Sequence, residues 1–316
     1  MAISIARAQR HIREWNEKLA RYPSRNGWVN SLFHACQIET AAEIVRQRKV
    51  VCRQHVPIVL CDVANQGALW NNPAAHEYVR LYFRPKNSFH FKTEGIKSNS
   101  DPYRVNPHMA IPVMLVFDFT SVITLADSFF VSGNFASQAL APLQGDKNFD
   151  GLNFNYIYHD SAVSQDMMQT IHDARMAEVV VRNELPLAHH LRVVVCRTIH
   201  EERMLRYLLR NVDVSDVRFA VEKGGSLFLC RGSYITELYT RGGELHFDFT
   251  APSTARKDKY SVAVSCGNSR FAFSLEPSSW RVPQIVNPDP SAEWKIEIEG
   301  CTAYLGPVPA TVPVVR

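Results

Sequence analysis

Residues 171–181, IHDARMAEVVV, set Arg175 three positions before Glu178, and Glu178 opens a run of three valines. Successive β-branched residues read as a buried strand, so the segment holds a carboxylate at the start of a rigid element. A fixed carboxylate can stabilise positive charge that develops on a reacting centre. The same group can take a proton from an attacking nucleophile. One glutamate meets both needs if the mouth of its strand faces a cleft. Taken alone, the segment also describes an edge-strand glutamate with its head in water, the usual fate of strand glutamates. Several other chemistries lack their patterns: the chain has no GxGxxG, P-loop, HExxH or GxSxG, so the common nucleotide cradles, zinc sites and serine elbows are missing. His189 and His190 are adjacent, point to opposite sides of a strand, and do not converge on a metal.

Three further islands carry usable groups. In SLFHACQIETAAEIVRQRKVV (31–51) a strand bearing His34 leads into a helix; a lone histidine after Leu-Phe is also a common core residue. HEYVRLYFRPKN (76–87) offers Tyr78, Tyr82 and Phe83 as ring faces, with alternation sending Tyr78 and Tyr82 to one side. Arg84, just past that strand, has the fork that engages a diphosphate, or is an ordinary surface arginine. SGNFAS (132–137) places Asn134 and Phe135 in a long loop. Lys86, Lys92, Lys97 and Arg104 cluster after the aromatic strand; singly they read as surface charge, together as a basic track.

The order of these islands resembles the DarT family of DNA ADP-ribosyltransferase toxins, which use NAD to modify a base in single-stranded DNA. The resemblance runs from about residue 28 to about residue 210 and is most specific in HEYVRLYFRPKN and IHDARMAEVVV. It implies an ADP-ribosyltransferase core with NAD as co-substrate and no metal. Glu178 becomes the catalytic glutamate, and His34, Tyr78, Tyr82, Phe83 and Arg84 the cofactor-binding residues. Lys86, Lys92, Lys97, Arg104, Asn134, Phe135 and Arg175 become the DNA-binding set. Single-stranded DNA and an antitoxin protein are the implied partners. Members that modify thymine resemble one another in a Tyr-Val-Pro-Phe-Tyr-Phe strand with an arginine pair upstream. Here Arg80 replaces the proline and residues 58–72 contain no arginine. The pattern YVRLYFRPKN…EGI, with Glu94, Gly95 and Ile96, resembles the guanine-directed branch instead. Any catalytic arginine stays open between Arg53 and Arg84.

The elements that must hold these residues are legible in part. A helix from about Ile3 to Ala20 is stopped by Tyr22-Pro23-Ser24 and Asn26-Gly27. Strands follow at 28–36, 77–83, 109–119 and 191–199, and helices at 38–49 and 201–210. Residues 57–73 and 131–150 read as irregular, and about 20 structureless residues inside a domain, as in 131–150, mark either a functional loop or a wrongly assigned element. From Val217 onward the character changes to short strands, VRFAVEK, SLFLC, YITELYT, ELHFDF, YSVAVSC, RFAFSLE and WKIEIEG, separated by Gly-rich turns. That spacing predicts an antiparallel sandwich or barrel.

With 316 residues, 46% apolar and 21% charged, the chain has globular composition. Residues 1–25 hold Arg7, Arg10, Arg13, Lys18, Arg21 and Arg25 against Glu14 and Glu17, so this arm alone matches the chain's surplus of +4. A basic amphipathic arm meets phosphate or a membrane surface, or is a solvated helix packed on the domain. Seven scattered cysteines without CxxC spacing fit a reducing cytosol rather than a disulfide framework. Neither a signal peptide nor an apolar run of spanning length is expected, which points to the cytoplasm.

The resulting expectation is an α+β protein. A basic helix (1–27) leads into an ADP-ribosyltransferase-like split β-sandwich with surrounding helices (28–212). An all-β, immunoglobulin-like sandwich of open role (213–305) and a tail (306–316) follow. The expected activity is transfer of ADP-ribose from NAD to guanine in single-stranded DNA, as a toxin. Rival readings are transfer to thymine, RNA or protein, or a nucleic-acid-binding module whose NAD site has decayed.

Overall fold

In a computed structural model of the chain, residues 1–56, 72–99, 101, 104, 108–136, 140–250, 259–282 and 291–310 are described. The arginine-free stretch 58–72 therefore lies outside the described residues except for Asn72, and Ser137 and the end of the Pro/Val tail also lie outside them.

The branched and aromatic runs of the first two thirds assemble into one seven-stranded sheet. Its strands are β1 (Ser31–Gln37), β3 (Tyr78–Tyr82), β4 (Pro112–Asp118), β5 (Ser128–Val131), β6 (Glu178–Arg182), β8 (Leu191–Cys196) and β9 (Phe219–Val221), in the order β5-β6-β3-β1-β4-β8-β9. A small second sheet pairs β2 (Lys49–Val51) with β7 (Glu184–Pro186). β4 is buried along nearly its whole length because both faces of the central sheet are covered. β6 lies between β5 and β3, so Glu178 is not on an edge strand.

The first helix, α1 (Ile5–Leu19), is capped by Ser4, whose hydroxyl accepts from the Arg7 amide. It buries Ala8, His11, Trp15 and Leu19, a stripe at helical spacing. His11 fits among Phe119, Phe149, Phe154 and Tyr158, with its Nε2 3.0 Å from the Tyr158 hydroxyl. Arg7 pairs with Asp150, and Ser4 bonds Asp146. The expected irregular stretch 131–150 thus ends in a short helix, Asp146–Asp150, fixed to the head of α1. After β1, α2 (Ile38–Gln47) ends at Arg48, which takes the left-handed conformation at φ 58°.

Two of the expected C-terminal strands differ. VRFAVEK does form a strand, β9, but it pairs in parallel with β8 in the first sheet. The helix Ile199–Leu208 supplies the crossover that parallel pairing needs, so the first sheet runs past residue 212. SLFLC forms no strand: the Leu229 amide donates to the Glu94 carboxylate at 2.9 Å instead of to a ladder. The remaining strands are β10 (Ile235–Arg241), β11 (Glu244–Phe249), β12 (Tyr260–Cys266), β13 (Ser269–Leu275), β14 (Ser279–Val282), β15 (Trp294–Ile298) and β16 (Cys301–Gly306). They form antiparallel sheets β10-β11-β14 and β13-β12-β15-β16, and Phe249 meets Tyr260 between them at 5.8 Å.

The segment Glu94-Gly95-Ile96 locks this unit to the first. Ile96 and Ser233 exchange backbone hydrogen bonds, and Arg104 reaches Glu299 at 3.2 Å. Gly95, at φ +80°, lies so close that an added Cβ would meet the Arg231 carbonyl oxygen at 1.9 Å. Arg197 and Glu201 form a buried ion pair at 2.5 Å, and Arg197 also stacks on Tyr234 at 4.5 Å.

Candidate active site

Strand register brings the chemistry together. Glu178 stands opposite Tyr82 on β3 and opposite Val131 on β5. Directly opposed residues of an antiparallel pair share a face, so Tyr78, Arg80 and Tyr82 project on the same side as Glu178 and Val180. Val79 and Leu81 take the other side and enter the core.

The Glu178 side chain is fully buried. Burial pushes its carboxyl up to about 7, against the opposing pull of Arg80, the Tyr82 hydroxyl and the Phe135 backbone amide. Arg80 Nη1 lies 4.0 Å from Glu178 Oε1. Neither carboxylate oxygen has a well-formed hydrogen bond within the described protein, so these neighbours act at longer range and desolvation wins. The same burial and the facing carboxylate drive the Tyr82 phenol upward, which keeps it a neutral donor. A dry carboxylate poised near neutrality, with a cation and a hydroxyl beside it, is arranged to stabilise a cation and then accept a proton.

His34 joins the site through the backbone. Its Nδ1 is 3.0 Å from the Arg80 carbonyl; a carbonyl only accepts, so Nδ1–H donates and Nε2 carries the lone pair. Burial lowers the His34 pKa, so the ring is neutral. His90, which drew no attention in the sequence, stacks edge-on against Tyr82 at 5.7 Å. Its Nδ1–H donates to the Pro85 carbonyl, and its buried Nε2 has no partner among the described residues.

The other expected site residues have distinct places. Phe83 is buried in the aromatic core against Phe119, Phe149 and Phe154, on the side opposite Tyr82. Arg84 is also buried: it bonds the His159 carbonyl and Asp160, and stacks on Trp28 at 4.8 Å. Tyr78 lies at the far end of β3, edge-on to Phe135 at 5.4 Å. Asn134 accepts from the Ala136 amide at 3.0 Å, which folds the loop so that the Phe135 ring is buried and its backbone faces Glu178. Asn72 holds the same loop, donating to the Phe135 carbonyl at 2.7 Å.

Arg175 does not reach the carboxylate. It bonds the His159 carbonyl at 2.9 Å and the Ser161 carbonyl at 3.0 Å, fixing the turn before β6. The basic track disperses: Lys97 is buried with its Nζ on the Glu94 carbonyl at 3.0 Å, and Arg104 is committed to Glu299. Lys86 bonds the Gly225 carbonyl, while Lys92 is exposed. Arg53 sits in a short helical turn, Arg53–His55. Arg80, notable in the sequence only as the replacement for a proline, is the arginine beside Glu178, rather than Arg53 or Arg84. The alternation that set Tyr78 and Tyr82 on one face places Arg80 on it too, whereas no sequence signal marked His90. No group of three or more histidines, cysteines and carboxylates suited to a metal occurs among the described residues. Nor is any described helix long and apolar enough to cross a membrane.

A family model described as "DarT: ssDNA thymidine ADP-ribosyltransferase, DarT" matches residues 33–227. Among solved structures, "Thermus sp. 2.9 DarT in complex with NAD+" is similar at a TM-score of 0.49 and 15% identity, over 61% of this chain and 96% of that one. "Thermus sp. 2.9 DarT in complex with ADP-ribosylated ssDNA" is similar at 0.49 and 14% identity, over 61% and 94%. No curated protein matches.

Proposed function

Since the chain belongs to the DarT family of NAD-dependent single-stranded-DNA ADP-ribosyltransferases, we propose that it transfers ADP-ribose from NAD to guanine, with Glu178 as the catalytic carboxylate. The observation behind this reading is a fully buried Glu178, raised to about 7, facing Arg80 and Tyr82. In the proposed reaction the bond between nicotinamide and the ribose C1″ carbon breaks, and nicotinamide leaves with the bonding pair. Ionised Glu178 stabilises the oxocarbenium-like ribose. A ring or exocyclic nitrogen of the base then forms the new bond to C1″, and its proton passes to Glu178. His34 Nε2 accepts a ribose hydroxyl, and the neutral Tyr82 phenol beside the carboxylate favours its ionised form.

The family description names thymidine; the guanine reading rests on this chain's departures from the thymine pattern, above all Arg80 in place of the proline. A guanidinium fork matches the O6 and N7 acceptors of guanine in bidentate fashion, while a flipped base exposes that edge to the pocket. Thymine offers single carbonyl acceptors flanking an N–H donor, a poorer fit to a cation. Lys92, exposed where Lys86, Lys97, Arg104 and Arg175 are not, and the loop carrying Asn134 and Phe135 support contact with the strand on either side of the base. Modification of DNA bases blocks templating, which suits a toxin. An antitoxin that removes ADP-ribose or covers the Glu178 cleft follows as the proposed partner.

Incubation with NAD and oligodeoxynucleotides that differ only in their reactive base, read by mass spectrometry, tests the assignment. Adduct on guanine with none on thymine is the expected result. Adduct on thymine alone overturns the acceptor, and equal inactivity of wild type and Glu178→Ala overturns the enzyme.

A further inference from the structure

The expected DNA-binding residues Lys86 to Arg175 all lie within the family-matched span 33–227, yet a further basic surface lies before it. The C-terminal end of α1 and the turn that follows border an open groove of about 540 Å³ against residues 155 and 158. That volume suits a nucleotide-sized group. Three cations line it, Lys18, Arg21 and Arg25, against one carboxylate, Glu17. No ion pair engages any of the three cations among the described residues, unlike Arg7, which Asp150 holds.

Aromatic rings fix these cations in place. Lys18 Nζ sits 4.4 Å over Trp15, and Tyr22 carries Arg21 at 5.1 Å and Arg25 at 4.2 Å. Such stacking orders the charged heads without neutralising them, so their donors remain available to an anion. Arg25 is the sharpest case: it is only 9% exposed, and its Nε has no hydrogen-bond partner. An interleaved row of cations and rings is the surface that tracks a single-stranded backbone and stacks its bases.

The groove also lies at the correct end of the sheet. Arg25 reaches Ser161 Oγ at 3.4 Å, and Arg175 holds the Ser161 carbonyl at 3.0 Å, three residues before Glu178. Arg84, just beyond Tyr82, grips Asp160 in the same turn. The groove borders the Phe83 side of the sheet, where Trp15 and Tyr158 pack on Phe154, and one turn separates it from the end of β3 and β6 where Tyr82 and Glu178 stand opposite each other.

We infer that the groove formed by Trp15, Lys18, Arg21, Tyr22 and Arg25 is a second binding site for single-stranded DNA, which holds the strand beside the base presented to Glu178. The inference rests on the proposed DNA substrate, and its test is independent of the chemistry. Binding of a labelled oligodeoxynucleotide is measured by fluorescence anisotropy across a salt series, without NAD, for wild type, Lys18→Gln/Arg21→Gln and Lys18→Arg/Arg21→Lys. Both positions are exposed, and neither belongs to the catalytic cleft. The glutamine pair is expected to bind on the order of 10-fold more weakly at about 0.1 M salt, with its log–log salt slope shallower by about 1.4. The charge-conserving pair keeps the wild-type slope. An unchanged slope in the glutamine pair overturns the groove, even if wild type transfers ADP-ribose. A shallower slope in a protein that transfers nothing leaves the groove standing and removes the catalytic reading. Tighter binding of the matching oligoribonucleotide, lost in the glutamine pair, assigns the groove to RNA and overturns the proposal.

Discussion

Arg80 and Glu178 approach to 4.0 Å across neighbouring strands β3 and β6, Arg80 standing two residues along β3 from the directly opposed Tyr82. At that distance the guanidinium attracts the carboxylate without forming a close pair. Burial consequently dominates, and the carboxyl is held at about 7 rather than depressed as in a tight salt bridge. The arrangement keeps the carboxylate exchangeable near neutral pH, where a glutamate fully paired with Arg80 would be a weaker base.

Replacing Glu178 separates chemistry from folding. Glu178→Gln should abolish transfer while retaining NAD binding, measured by nicotinamide release and by calorimetry. The folded-state pKa is raised, so the proton is held more tightly in the folded protein. That contribution is complete below pH about 4.5 and is lost as pH rises through about 7. Glutamine carries no such loss, so the variant should gain stability over wild type by roughly 3 kcal/mol at pH 8 and little at pH 4. Equal denaturation midpoints at pH 8 would show that the carboxylate is not desolvated.

The acid limb of the rate profile should report the same group. In wild type, kcat/KM for NAD should rise with pH through about 7 as Glu178 ionises. Arg80→Met removes a charge that lowers the Glu178 pKa, so the limb should move to higher pH. The same variant should lose about 1–3 kcal/mol of discrimination for guanine if Arg80 reads that base. A limb that stays in place would separate Arg80 electrostatically from Glu178.

How much of this was legible in the sequence depends on the element. The strand beginning at Glu178 follows from its valines, and alternation set Tyr82 apart from Tyr78's neighbours. Burial of Glu178 was not readable, because it depends on β5 pairing along the other side of β6, and β5 reaches it across a loop of no strong pattern. Phe83 and Arg84 follow the aromatic strand as binding candidates, but which side of a sheet is core is a tertiary fact; Phe83 meets three aromatic rings there. Lys97 is buried with its Nζ on the Glu94 carbonyl, beside the contact in which the Glu94 carboxylate accepts from Leu229, 135 positions further along. No local window contains both.

His34 should act on NAD rather than on the base. Its Nδ1–H is occupied by the Arg80 carbonyl, which leaves Nε2 as an acceptor for a ribose hydroxyl. His34→Ala should therefore raise KM for NAD by about 10-fold, the loss expected of one buried hydrogen bond, with a smaller change in KM for DNA. His34→Asn, which can still offer an acceptor, should recover part of the loss. Equal effects on both substrates would place His34 among residues that hold the cleft's shape.

The clamp at Gly95 predicts how the two units depend on each other. Any side chain there collides with the Arg231 carbonyl, and the positive φ of +80° adds backbone strain. Gly95→Ala should destabilise the protein by about 2–4 kcal/mol, seen as a lower thermal midpoint. Because Glu94 and Ile96 hold residues 229 and 233, the change should loosen the β unit first. Hydrogen exchange is then expected to quicken at 229–234 before it quickens in β6. Simultaneous loss of protection in both would show that the first sheet and the β unit unfold as one, and that residues 213–316 cannot be removed without losing Glu178's strand.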